Sequence, residues 1–139
     1  MTDMTFHDEI NAFFHTYIDA FARRDADAIS ELWDDVRLFP TPGWNFAMDR
    51  RAIHAHCSTL LKFYSDQGIV NPTGELLPAI ELFPKVAQAR MVYRMYGEEK
   101  QLIATWEHVY VLRRTNQWRV SLTIADGEMA VWTAKGAHL

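Results

Sequence analysis

The chain has 139 residues, with 14 Lys and Arg against 18 Asp and Glu, for a net charge of −4. That length suits one hydrophobic core, so residues 1–139 are expected to form a single domain. The scattered basic residues exclude a nucleic-acid footprint, and the lone Cys57 excludes an internal disulfide and fits a reducing, cytoplasmic setting. The start, MTDMTFHDEI, has no basic and apolar leader, and no stretch approaches the roughly 20 apolar residues of a membrane helix, so no membrane partner is expected.

Thr5 and Asp8 are spaced as a helix-capping pair. After them Ile10, Phe13, Phe14, Tyr17, Ile18 and Phe21 recur at helical spacing, which predicts an amphipathic helix over residues 6–24. Asp25 is placed to cap a second, shorter helix with Ile29, Leu32 and Trp33 facing inward. Asp34 and Asp35 end it, and residues 36–40, VRLFP, read as a short strand closed by Pro40 and Pro42. Residues 41–45 read as a loop. Asp49 caps a third helix over residues 50–65, with Ile53, Cys57, Leu60, Leu61 and Tyr64 on one stripe.

From Glu75 the period changes to that of strands, placed at residues 75–83, 85–96, 101–114 and 118–126, with turns at 97–100 and 115–117. Within QLIATWEHVYVLRR, residues 101–114, one face carries Trp106, His108, Tyr110 and Leu112, and the other Thr105, Glu107, Val109 and Val111. Pairing Tyr96 with Gln101 sets Arg90 opposite Glu107 and Met91 opposite Trp106, both favourable contacts. In the next strand Val120, Leu122 and Ile124 share one face and Ser121 and Thr123 the other. A two-residue and a three-residue turn at Asn116 give opposite answers for which face turns inward. The tail from Gly127 is placed as a short edge strand over residues 130–133. Three helices followed by antiparallel strands make an α+β plan in which the sheet curls around the first helix.

The run YIDAFARRDADAISELW, then a strand ending in Pro-Thr-Pro-Gly, a third helix, and a meander ending in WRVSLTIADGE resembles the nuclear transport factor two-like superfamily over residues 6–128. That superfamily includes ketosteroid isomerases, scytalone dehydratases, SnoaL-type polyketide cyclases and limonene epoxide hydrolases. The resemblance implies a cone-shaped curved antiparallel sheet wrapped around the helices, the cystatin-like α+β roll, with a pocket at its wide end. It also matches Tyr17 to the oxyanion-hole tyrosine of ketosteroid isomerases, and Tyr110 to the position of their protonated carboxylic acid. Their general base falls at or next to Pro40, which cannot move a proton, so steroid isomerisation by that route is not expected.

The candidate catalytic group is His108 as proton shuttle with Tyr17 and Tyr110 as oxyanion donors, and Asp126 as a further acid or base. Each has a plain structural alternative: a hydrogen-bonded core histidine, packed tyrosines, and a turn aspartate before Gly127. Trp33, Phe39, Trp44, Met91, Tyr93 and Trp106 are candidates for an aromatic ligand wall, with His56 at the pocket mouth. On a helix, His54 and His56 diverge by about 200°, so no metal site is expected. The function expected is cofactor-free acid/base chemistry, by an isomerase, dehydratase or cyclase, on a compact hydrophobic or polyketide-like molecule. The alternative is a non-catalytic binding or accessory protein using the same pocket. Val92, Val109 and Val111, facing away from the helices, predict an apolar outer sheet face covered by a second copy in a homodimer.

Overall fold

The computed structural model describes residues 4–42 and 45–136. Helix α1, Phe6–Ala22, starts where Thr5 Oγ1 accepts the Asp8 N–H at 3.1 Å, and it buries Ile10, Phe13, Phe14, Tyr17 and Ala20. Helix α2, Ala26–Glu31, is capped by Asp25, which accepts the Ala28 N–H at 3.0 Å. Strand β1 is Trp33–Pro40, so Trp33 opens a strand and does not extend the helix. The junction is pinned from outside: Arg50 donates to the Ser30 carbonyl and, at 2.6 Å, to that of Trp33. The Leu32 carbonyl meanwhile accepts the Val120 N–H at 2.9 Å.

Strand β2, Asn45–Asp49, pairs antiparallel with β1 where a loop and a helix cap were expected. Five residues give too short an alternation to stand out, yet Phe46 faces inward and stacks on Phe39, with centroids 4.8 Å apart and planes 3° from parallel. Helix α3, Arg50–Asp66, follows, capped by Asp49 and burying Ile53, Cys57, Leu61 and Tyr64.

The predicted strand over 75–83 is two elements, β3 (Asn71–Leu76) and β4 (Ile80–Phe83), both paired to β5 (Val86–Tyr96). Pro72 is tolerated because β3 is an edge strand. Strands β6 (Leu102–Arg114) and β7 (Trp118–Ile124) complete a sheet of order β2-β1-β7-β6-β5-β3, with β4 beside β5. The β1–β7 pair is parallel, Trp33 opposite Val120, and joins an early strand to the last one.

The β5–β6 register differs from the expected one by two residues: Arg90 faces Val109, Met91 faces His108 and Tyr93 faces Trp106. Gln101 belongs to the turn, where the Gly97 N–H bonds its carbonyl at 3.0 Å, and a bulge at Ile103 adds a second residue. Two single-residue shifts add to an even number, so every side chain keeps its expected face. Ala104, Trp106, His108, Tyr110 and Leu112 are buried, and Arg90 still bonds Glu107 across a diagonal. In β7 a bulge at Ser121 breaks the alternation, so Val120 and Thr123 both turn inward. Neither uniform alternative for that strand holds.

The tail is a helix, α4 (Asp126–Ala134), not an edge strand. Glu128 and Trp132, four residues apart, face the open end of the sheet, where the Trp132 ring meets Phe63 at 5.1 Å and Trp106 at 5.8 Å. Filling that opening outweighs the β preference of Val131, Trp132 and Thr133. Gly127 permits the approach: a Cβ there would sit 2.6 Å from the Glu107 backbone oxygen. The result is an α+β fold, a curved sheet closed around α1 and α3, in which each fully buried Ile, Leu or Phe contributes about 1.5–3 kcal/mol. Among the described residues no helix is long and apolar enough to cross a membrane.

Candidate functional site

Among the cavities of the described residues, two adjoining chambers lie between the sheet and the helices. The inner one, about 50 Å³, is bounded by Tyr17 of α1, Trp33 and Arg37 of β1, His56 and Tyr64 of α3, Tyr93, Trp106, His108 and Tyr110 of the central strands, and Glu128 of α4. The outer one, about 520 Å³, is walled mainly by Phe39, Phe46, Met48, Leu60, Phe63 and Met129. Phe39, His56, Leu60, Thr123, Ala125 and Glu128 line both and form the partition between them.

Period-two alternation delivers the sheet's share of this lining. On β6 it turns an indole, an imidazole and a phenol inward in succession, and on β1 it sets Arg37 on the same side as Phe39. Tyr17 arrives on the buried stripe of α1, and its oxygen accepts the Trp33 Nε1–H at 3.0 Å. Its own proton has no acceptor among the described residues. Tyr93 and Tyr110 share one hydrogen bond, 2.7 Å between their oxygens, which leaves one of their two protons free. Burial pushes the Tyr17 phenol up, and Tyr64, Tyr93 and Tyr110 well above the usual range, so all four stay protonated donors.

His108 stacks on Tyr110, with centroids 4.7 Å apart, and its Nδ1 lies 3.1 Å from the Trp106 Nε1. An indole can only donate, so Nδ1 is the acceptor and the ring proton sits on Nε2. Burial, together with the Arg37 charge, lowers its pKa to about 3. His56, held between Trp33 and Phe39, is lowered to about 4 by the same two causes. Both rings are neutral at ordinary pH.

Glu128 is the buried carboxylate of the inner chamber. Its Oε2 accepts from the Tyr64 hydroxyl and, at 3.1 Å, from the Trp132 Nε1–H. Burial raises its pKa, and these two hydrogen bonds and the charge of Arg37 oppose the rise. Arg37 is 2% exposed, with its guanidinium carbon 3.1 Å from the centroid of the Trp33 ring. Burial depresses its pKa, against the opposing pull of Tyr17 and Tyr110.

Of the residues singled out in the sequence, Tyr17, Trp33, His56, Tyr93, Trp106, His108 and Tyr110 come together in the inner chamber, and Phe39 stands in the partition. Met91 is buried but packs near Gly74, outside both chambers. Asp126 lines the outer chamber but not the inner one, its Oδ1 buried without a hydrogen-bond partner among the described residues, and is apart from the phenols. Trp44 lies outside the described residues. His54 points away and meets Asp27 at 2.6 Å, and among the described residues no cluster of three His, Cys, Asp or Glu forms. Sequence reasoning missed Arg37, Tyr64, Thr123 and Glu128. Arg37 carried a readable signal, a cation at the same strand parity as Phe39; Glu128 became legible only with α4.

A family model described as NTF2-like protein (DUF6841) matches residues 8–128. No curated protein matches the chain. Among solved structures, a domain of unknown function with a cystatin-like fold from Nostoc punctiforme superposes with a TM-score of 0.68 at 19% identity, over 87% of this chain and 77% of that one. A ketosteroid isomerase-like protein from Erwinia carotovora atroseptica gives 0.65 at 15% identity, over 85% and 92%. An NTF-2 like protein of unknown function from Shewanella oneidensis gives 0.65 at 13%, over 84% and 95%. Likeness at these identities is likeness of fold.

Proposed function

Because the chain belongs to the family of NTF2-like proteins described as DUF6841, we propose that it holds a small, mostly apolar carbonyl compound in these two chambers and moves a proton on it without a cofactor. The reaction class is isomerisation, dehydration or cyclisation. The observation that carries this reading is Glu128, a carboxylate enclosed among phenols in the inner chamber, its pKa raised by burial. The name of the ketosteroid isomerase-like neighbour points the same way.

In this reading Glu128 takes a proton from the carbon beside the substrate carbonyl, and the enolate oxygen is met by the Tyr17 O–H, the free proton of the Tyr93–Tyr110 pair and the His108 Nε2–H. Returning the proton at another carbon completes an isomerisation; loss of a β-hydroxyl with that proton completes a dehydration. His108, expected as the proton shuttle, serves here as a neutral donor, because its Nδ1 is occupied by Trp106. The resemblance sets the steroid isomerase's base position at or next to Pro40, so in this reading the base comes from a different element. The outer chamber, at about 520 Å³, takes the apolar body.

The test follows carbon-bound hydrogen exchange of a panel of aryl and β,γ-unsaturated ketones in D2O by NMR. Wild type is expected to accelerate exchange for members that bind, and Glu128→Gln to lose about 100-fold or more of it. Binding without exchange by any panel member would replace this reading with that of a binding protein.

A further inference from the structure

Arg37 is the charged group that the acid/base reading leaves without a task. It sits on β1, 2% exposed, with its guanidinium carbon over the Trp33 ring and its Nε and Nη1 without a hydrogen-bond partner among the described residues. The carboxylates of β1 and of the chamber have other hydrogen-bond or ion-pair partners. Asp34 accepts from Arg113 and from Ser121, Asp35 pairs with Arg50, and Glu128 accepts from Tyr64 and Trp132. The indole face attracts the cation but accepts none of its in-plane N–H bonds. Glu128 supplies counter-charge across the chamber and the Tyr17 oxygen pulls on the guanidinium, but Nε and Nη1 still lack acceptors, which a buried guanidinium needs.

The rest of the inner chamber leans the same way. Tyr17, one of Tyr93 and Tyr110, and His108 each hold an unused proton, while Glu128 is the one side-chain carboxylate among the described lining residues. The complement to a wall of donors beside a guanidinium with two open N–H groups is a group of acceptor oxygens that can reach Arg37 directly, as Glu128, held by Tyr64 and Trp132, does not. We propose that the inner chamber binds the carboxylate of a small organic acid, with at least one of its oxygens on Arg37 and the rest of the molecule in the apolar outer chamber. This rests on the cavity being the ligand site, but not on turnover. It narrows the substrate class to organic acids, keto acids among them. One guanidinium suits the single charge of a carboxylate better than the two of a phosphate dianion, and the Glu128 carboxylate adds to the cost of a second charge.

Calorimetric titration of the full chain compares 4-phenylbutanoate with its isosteric amide, and both with inorganic phosphate, at matched ionic strength. Wild type is expected to bind the acid at least tenfold more tightly than the amide. Arg37→Met is expected to bring that ratio to about one, and Arg90→Met, which alters an exposed arginine on the outer face, to leave it unchanged. Equal binding of acid and amide by wild type ends this proposal and leaves the cavity reading standing; so does an acid preference that survives Arg37→Met. Phosphate binding in preference to the acid also overturns it. No binding by any probe removes the cavity reading together with this one. If Arg37→Met fails to fold, the Arg37 Nε–H resonance of wild type decides the matter: it is expected to shift on addition of the acid and not of the amide, and no shift with the acid overturns the proposal.

Discussion

His56 and His108 enter the folded protein without their second proton, and that has a direction in pH. Their ordinary pKa of 6.5 drops on folding to about 4 and about 3. The unfolded chain therefore takes up protons below pH 6.5 that the folded one refuses. Their contribution to stability is complete above 6.5 and is lost as pH falls towards 3–4, at about 1.4 kcal/mol per pH unit for each ring. Glu128 acts in the opposite sense, since its raised pKa contributes stability below its ordinary 4.5 that is lost as pH rises through the folded value. Urea denaturation at pH 7, 6 and 5 is expected to show stability falling as the pH is lowered, with about half the slope in His108→Gln; equal slopes would contradict a neutral His108. At this scale much of the site was legible. An indole, an imidazole and a phenol at period two could only share a face, and Tyr17 lay on an unbroken helical stripe. Arg37 was passed over because a cation in a strand is ordinarily read as solvated, although its parity with Phe39 set it on the inward face.

Elements are tied together by a few polar clasps and one close approach. Asp34, almost fully buried, accepts from Arg113 on β6, with one bond of 3.0 Å, and from Ser121 on β7 at 2.6 Å, so one carboxylate binds three strands. These partners outweigh the burial that would raise its pKa, and hold it below the usual carboxylate range. Helix α4 depends instead on the absence of a side chain. Gly127→Ala would set a methyl group 2.6 Å from the Glu107 backbone oxygen, which cannot swing aside. The variant is expected to lose about 1–3 kcal/mol and to red-shift tryptophan fluorescence as Trp132 becomes wetter; an unchanged melting temperature and spectrum would contradict this docking. The long helices were legible because 17 residues repeat the stripe several times. Strand β2 and helix α4 were not, being five and nine residues long, too short for periodicity to outvote local propensity. The bulges at Ile103 and Ser121 were illegible for another reason: an inserted residue changes pairing without changing composition.

For the molecule as a whole, the outer face of the sheet is the open question of surface chemistry. Val36, Leu38 and Ile124 are 54%, 48% and 39% exposed there, beside the half-buried Val109, Val111 and Leu122. The Arg90–Glu107 and Arg94–Glu75 pairs border them. A second copy packed on this face by two-fold symmetry would remove the patch from water at roughly 25 cal/mol per Å² of apolar area, and that dimer is the expected state. Sedimentation velocity at micromolar concentration checks it: a dimer of the 16.2 kDa chain that Val109→Asp dissociates is expected, and a wild type that remains one chain at high concentration overturns it. The parallel seam between β1 and β7 has a separate consequence, for how the chain reaches this form. Trp33 finds its partner only when Val120 exists, so the loop that must close spans most of the sequence. On a ribosome, β1 would emerge early and wait with Trp33, Arg37 and Phe39 unsheltered while the β5–β6 hairpin can already form behind it. The chambers then close only once β7 has been made, and a chain cut short before it would leave Trp33 without the strand that shelters it.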